Sequence, residues 1–298
     1  MQDRIIQRLI RWGQDQTAVR AMILTSTRAN LATGQRPNAP VDVLSDYDVV
    51  LVVEDIHPFF HDRTWLQDFG QVLVSYWDPI HPAPGYGIEQ TGNVIQFEDG
   101  LKIDFTLWPV ELLQRVVQTA TLPDDLDDGY AVLLDKDDLT DGMPASTYTI
   151  YIPARPTEET YRRVIEEFFS DAPYVAKCLW RDELMPAKWC LDYDMKHVYV
   201  RQMLEWRIEC EHGWRVVPAG ALGKGLKKRL PPDLWRQLES AYAGAGIEEN
   251  WAALFETIAV YRQAAVEVAD RLGYAYPHDL DRRVVAYLHE IQSLDRQA

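Results

Sequence analysis

The chain predicts an α+β fold: an N-terminal mixed sheet with flanking helices, followed by an all-helical C-terminal domain. Three observations carry this. The run Val49-Val50-Leu51-Val52-Val53 is continuous and β-branched, the signature of a strand buried on both faces at the centre of a sheet. The stretches 93–97 and 101–107 flank Glu98-Asp99-Gly100, and Leu101, Ile103, Phe105 and Leu107 alternate with Lys102, Asp104 and Thr106, which reads as a hairpin. From Thr157 onward the apolar spacing turns helical almost throughout.

Taken in order, Ile5, Ile6, Leu9 and Ile10 form one stripe, so 3–16 is a helix. Residues 21–25 form a short strand that runs into a polar turn. A loop rich in Asn, Pro and Gly covers about 29–43 and leads to Asp46-Tyr47-Asp48. Residues 64–73 read as a helix, and 110–119 as the helix that closes the first domain. The Asp- and Pro-rich stretch 121–157 reads as a connection. Candidate helices then run over 158–170, 173–184, 187–211, 232–243, 249–272 and 279–294, punctuated by Pro186, Gly213, Pro231-Pro232 and Pro277. The expected domains are 1–150 and 151–298.

Composition narrows the function. A hydrophobic content of 47% with ten Trp and fifteen Tyr supports real cores and argues against disorder. Three cysteines without CxxC spacing indicate neither a disulfide framework nor a zinc site. The N-terminus opens directly in a helical pattern and no apolar run approaches the ~20 residues that cross a bilayer, so a soluble, cytoplasmic protein with no membrane partner is expected. A formal charge of −16 argues against nucleic acid as a partner and suits a small cationic ligand, although acidity also serves solubility alone.

The chemistry is expected from carboxylates. Asp46 and Asp48 stand two apart at the start of a buried strand, so both side chains face one way. Two anions held so close repel unless a cation lies between them, which asks for a divalent metal with oxygen ligands. Asp104 is on the polar face of a second strand. If the two strands are neighbours, three carboxylates converge, a set able to hold two Mg²⁺ about 4 Å apart. A lone Asp-x-Asp in an acidic protein is usually a solvated turn; the combination with a third strand Asp is what points to a site.

The order Leu24-Thr25-Ser26-Thr27-Arg28, Asp46-Tyr47-Asp48 and Lys102-Ile103-Asp104-Phe105 resembles the polymerase-β-like nucleotidyltransferases, and more narrowly the aminoglycoside 6-adenylyltransferases, also called streptomycin adenylyltransferases. Asn30, Trp65, Phe69-Gly70, Leu133-Leu134-Asp135-Lys136-Asp137, Ala176-Lys177, Arg181, Glu183, Trp206, Gly223-Lys224, Leu234-Trp235 and Tyr242 extend the likeness over nearly the whole chain. The resemblance implies Mg²⁺-dependent transfer of AMP from ATP to a hydroxyl of an aminoglycoside such as streptomycin, and hence antibiotic inactivation. It implies a metal site at Asp46, Asp48 and Asp104, and nucleotide contacts from Ser26, Thr27, Arg28, Lys177 and Lys224. The resemblance makes 1–150 the nucleotidyltransferase domain and 151–298 the helical acceptor-binding domain, in which Glu183 and Asp192 are the candidates for acceptor contact or general base. The family's loop usually reads Gly-Ser-Arg; Ser26 replaces the glycine here, while Thr27 keeps a hydroxyl and Arg28 a charge. A monomer or weak homodimer is expected. Open alternatives are another small-molecule or protein hydroxyl as acceptor, and a degenerate nucleotide-binding module.

Overall fold

The computed structural model describes residues 3–33, 41–215 and 220–295, with the side chains of 30–33 outside the description; the Asn30 side chain and positions 34–40 of the loop expected at 29–43 therefore lie outside the described residues, while 29–33 belong to a helix rather than to that loop. The chain divides into two compact units, 1–150 and 151–298. Among the described residues no helix is long and apolar enough to cross a membrane.

The first unit comprises α1 (Arg4–Asp15), β1 (Val19–Thr25), α2 (Ser26–Thr33), β2 (Tyr47–Val53), α3 (Ile56–His61), a 3₁₀ stretch at Thr64–Phe69, β3 (Val72–Trp77), β4 (His81–Pro82), β5 (Glu89–Phe97), β6 (Lys102–Pro109), α4 (Val110–Thr119), α5 (Asp124–Asp127) and β7 (Tyr130–Asp135). The sheet runs β3-β5-β6-β2-β1-β7, with β4 added on β5. The β2–β6 pair is parallel and the others are antiparallel, which makes the sheet mixed, with the β-branched strand at its centre. Alternation along β2 and β6 sorts their residues onto two faces. Tyr47, Val49, Leu51, Ile103, Phe105 and Leu107 join Leu9, Trp12, Leu66 and Phe69 on one side. Val50, Val52 and Trp108 pack with Leu112, Leu113 and Val116 of α4 on the other.

Four local expectations are corrected. The turn after β1 is the helix α2, which starts without any loop residue. The helix expected over 64–73 is a 3₁₀ turn followed by β3, an edge strand whose Leu73, Val74 and Tyr76 are exposed, so burial leaves no alternation to read. The stretch 121–157 contains α5 and the edge strand β7. Within it Asp135 accepts hydrogen bonds from the Leu139 and Thr140 amides, while Asp137 pairs with Arg20, which gives the Leu133–Asp137 motif a structural use. Fourth, the break expected between 170 and 173 does not occur.

The second unit comprises α6 (Glu158–Trp180), α7 (Leu184–Lys188), a π-helical stretch at Trp189–Val200, α8 (Arg201–His212), α9 (Leu226–Arg229), α10 (Pro232–Ser240), α11 (Ile247–Leu272) and α12 (His278–Ser293). Helix α6 passes through Pro173 without ending. Proline removes one hydrogen bond there, yet the buried stripe Ile165, Phe168, Phe169, Ala172, Val175, Ala176 and Leu179 is continuous across it, and packing on α11 and α12 outweighs the local loss. The span expected as one helix over 187–211 is wound as α7, the π stretch and α8. Along it Trp189 tilts against Tyr193, and Tyr193 stacks on His197.

Candidate active site

Parallel pairing of β2 with β6 sets Asp48 opposite Asp104 in register. Asp46 precedes β2 by one residue and Lys102 opens β6, so two-residue alternation carries all four side chains to the face that α4 covers further along. The Lys102 ammonium is lodged between two of the carboxylates, 2.5 Å from Asp46 Oδ2 and 2.7 Å from Asp104 Oδ2. The other Asp104 oxygen accepts the Ile95 amide at 3.2 Å. With Lys102 in that position the three carboxylates do not bring a set of oxygens within 4.8 Å of one another; among the described residues Asp171, Cys190 and Asp194 do.

The charges are unbalanced. Burial, followed by the neighbouring Asp104 and Asp46 charges, pushes the Asp48 carboxyl up to about 6, against the opposing pull of Lys102 and a Ser26 hydrogen bond. Burial alone would lower the Lys102 ammonium, but hydrogen bonds and charge from Asp104 and Asp46 outweigh it and raise its pKa. Three carboxylates against one ammonium leave an anionic site, and its donor set is all hard oxygen, the chemistry that suits Mg²⁺. Lys102 was visible in the sequence as a polar-face residue of the strand, but no pattern there showed that it bridges Asp46 and Asp104.

The segment between β1 and α2 turns sharply. Ser26 has φ +62°, the left-handed region that glycine occupies without cost and other L-residues reach only with strain. The Ser26 side chain faces Asp48. Arg28 is engaged differently from a free phosphate-binding cation. Its guanidinium donates to the carbonyls of Ser45 and Asp46 at 2.7–3.1 Å, pairs with Asp3 at 3.2 Å and lies 3.9 Å over the Tyr47 ring. Tyr47 in turn donates its hydroxyl to Asp3, and burial with that hydrogen bond pushes its pKa up to about 12. Asp3, Arg28 and Tyr47 thus clamp the backbone that presents Asp46 and Asp48.

In the helical unit the candidate residues are placed as follows. Lys177 is exposed in the last turn of α6, Arg181 and Glu183 are exposed in the bend before α7, and Lys224 is exposed ahead of α9. Asp192 is half-buried, with one oxygen 2.7 Å from Lys188 and the other 2.7 Å from Lys196. Lys196 is buried, sits 4.6 Å from the Tyr242 ring, and burial holds its pKa down despite Asp192. The Asp171, Cys190 and Asp194 cluster had no sequence signal, because it joins α6 to the π stretch; burial drives the Cys190 thiol up to about 12.

A mixed sheet that aligns two aspartates on adjacent parallel strands, beside a third and a tight strand-to-helix turn, defines a nucleotidyltransferase. The sequence model described as streptomycin adenylyltransferase matches residues 1–291. The chain belongs to that family, and it is an enzyme. It is similar to the aminoglycoside 6-adenylyltransferase of Bacillus subtilis (29% identity, covering 92% of this chain and 91% of the relative) and to that of Campylobacter jejuni (28% identity, 90% and 88%). A crystal structure of an aminoglycoside 6-adenyltransferase from Bacillus subtilis aligns over 99% of this chain and 100% of that one, at 23% identity and a TM-score of 0.46.

Proposed function

We propose that this enzyme uses Mg²⁺ and ATP to transfer AMP to a hydroxyl of an aminoglycoside such as streptomycin. The observation that carries the reading is the register pairing of Asp48 with Asp104, with Asp46 joined to Asp104 through Lys102. The names of the similar relatives support the acceptor class.

Asp46, Asp48 and Asp104 would hold the metal, and Lys102 would withdraw from the place it takes. A divalent cation held there would supply charge neutralisation for the phosphates and would make the acceptor hydroxyl more acidic. The amide groups that open α2, together with Ser26 and Thr27, offer donors to the triphosphate at a helix N-terminus. Arg28 acts as a positioning residue, since its contacts hold the carbonyls of Ser45 and Asp46. Asp104, or a carboxylate of the helical unit, receives the proton of the acceptor hydroxyl, whose oxygen attacks the α-phosphorus in line. The bond to the β-phosphate bridging oxygen breaks and pyrophosphate leaves. Lys177 and Lys224 are proposed as nucleotide contacts and Glu183 as an acceptor contact. Asp192, bonded to two lysines, fits a structural part better than that of general base.

The test is mass spectrometry of streptomycin incubated with the protein, Mg²⁺ and ATP. The expected product carries one added AMP, and a panel of other aminoglycosides and amino-sugars extends the screen. Pyrophosphate release with only a non-aminoglycoside acceptor would reject the antibiotic while keeping the reaction.

A further inference from the structure

We infer that Lys102 is an intramolecular competitor for the divalent cation: its ammonium holds the place between Asp46 and Asp104, and its departure sets how tightly the metal is taken up. The assignment rests on the metal site proposed above. The Lys102 Nζ stands 2.5 Å from Asp46 Oδ2 and 2.7 Å from Asp104 Oδ2. Two oxygens bound to one Mg²⁺ at about 2.1 Å lie no more than about 4.2 Å apart. With the ammonium seated, the three carboxylates do not bring oxygens within 4.8 Å of one another. Lys102 must therefore leave before they can close on one ion, and an ammonium and a divalent cation repel across so short a distance.

The ammonium is lightly held. Among the described residues its hydrogen-bond partners are these two carboxylates, and no backbone carbonyl adds to them. Arg28 is the contrast: it donates to the carbonyls of Ser45 and Asp46, pairs with Asp3 and lies over Tyr47, so its guanidinium is fixed. Lysine is a point charge on a flexible four-carbon stem and suits exchange, whereas the planar fork of arginine suits a permanent clamp. Lys102 opens β6 directly after the turn at Glu98-Asp99-Gly100, and its side chain is 27% exposed, which gives the stem a route outward. While no metal is bound, the seated ammonium keeps Asp46 and Asp104 from repelling each other. The consequence is weaker metal uptake. A cation that binds only the vacated form is weakened by the fraction of molecules in that form, so an ammonium seated in about nine molecules of ten lowers affinity about tenfold.

Metal uptake tests this without turnover. Mn²⁺ binding to the nucleotide-free protein, read by electron paramagnetic resonance, should tighten about tenfold or more in Lys102→Met. Lys102→Arg, which keeps a cation between the carboxylates, should bind Mn²⁺ no more tightly than wild type. A second readout separates departure of the ammonium from a simple change of charge. Saturating Mg²⁺ should raise acetylation of Lys102 in the wild-type protein several-fold, scored by peptide mass spectrometry. Lys136, which donates to the carbonyls of Gln14 and Gln16, should keep its rate. Equal or weaker Mn²⁺ affinity in Lys102→Met overturns the competition, and so does tighter binding with Lys102 acetylation unmoved by Mg²⁺; in both cases the metal site stands. Mn²⁺ bound by neither wild type nor variant, with or without a non-hydrolysable ATP analogue, sinks the metal site and this inference with it.

Discussion

Asp48 in the sheet and Asp281 in the helical unit are both carboxylates withdrawn from solvent, and their surroundings push them in opposite directions. Around Asp281 burial is outweighed by Arg262, which donates from Nε at 2.5 Å and from Nη2 at 2.7 Å, and by the Tyr276 hydroxyl at 2.7 Å, so its pKa is lowered. Around Asp48 burial and two like charges prevail over Lys102 and Ser26, so its pKa is raised to about 6. Other acids of the helical unit are also paired, with Glu209 on Arg229, Glu267 on Arg207 and Asp192 on Lys188 and Lys196, whereas Asp171 beside Asp194 resembles Asp48, its carboxyl raised by burial and like charge. Satisfied charges hold helices together, whereas an unbalanced anionic cluster stores an appetite for a cation. That contrast distinguishes acids matched by a cation from acids crowded together in a protein of net charge −16.

The largest test of this contrast is exchange of the charges. Asp104→Asn or Asp48→Asn should lower the AMP-transfer rate by on the order of 10³-fold, as loss of a principal electrostatic group does, while leaving the thermal midpoint of the metal-free protein unchanged or higher. Asp281→Asn should do the reverse, with activity retained and stability reduced by about 2 kcal/mol in urea titration. That figure is below the ~3–5 kcal/mol of a fully buried broken pair because Arg262 is 41% exposed.

A pH series sharpens the same comparison. The folded Asp48 binds its proton more tightly than the unfolded chain does, so its contribution is present below pH ~4 and lost as pH rises through about 6. Metal-free protein should therefore lose on the order of 2 kcal/mol over that window, and Asp48→Asn should flatten the slope. Asp281 has the opposite sign: its contribution is present above pH ~4 and lost as pH falls through its lowered pKa, so Asp281→Asn should remove part of the acid-side loss. The urea midpoint against pH in the three proteins reads both slopes.

The smallest expected effect concerns the turn. Ser26→Gly should relieve the left-handed strain and raise stability by up to about 1 kcal/mol. Ser26→Val, with a branched side chain at φ +62°, should lower it. Equal thermal midpoints for the two variants would mean the strain is absent.

Much of the architecture was legible because it is written in local periodicity. The central strand, the hairpin around Glu98-Asp99-Gly100, the helix over 110–119 and the long C-terminal helices follow from apolar spacing alone. Edge strands β3 and β7 were not legible, since each is paired along one side only and the exposed apolar residues erase the alternation. Pro173 misled for a related reason: the local preference is real, but contacts distant in sequence prevail.

By itself the sequence determined which acids could act, because Asp46-Tyr47-Asp48 before a β-branched run and Asp104 at an alternating polar position already place each on a defined side of its strand. Only the tertiary structure decided that β2 and β6 are parallel neighbours, that Lys102 bridges Asp46 and Asp104, and that Arg28 clamps the backbone. The reason is physical: which face a side chain takes is set by the two-residue period of its own strand, whereas which charges meet depends on pairing among segments dozens of residues apart.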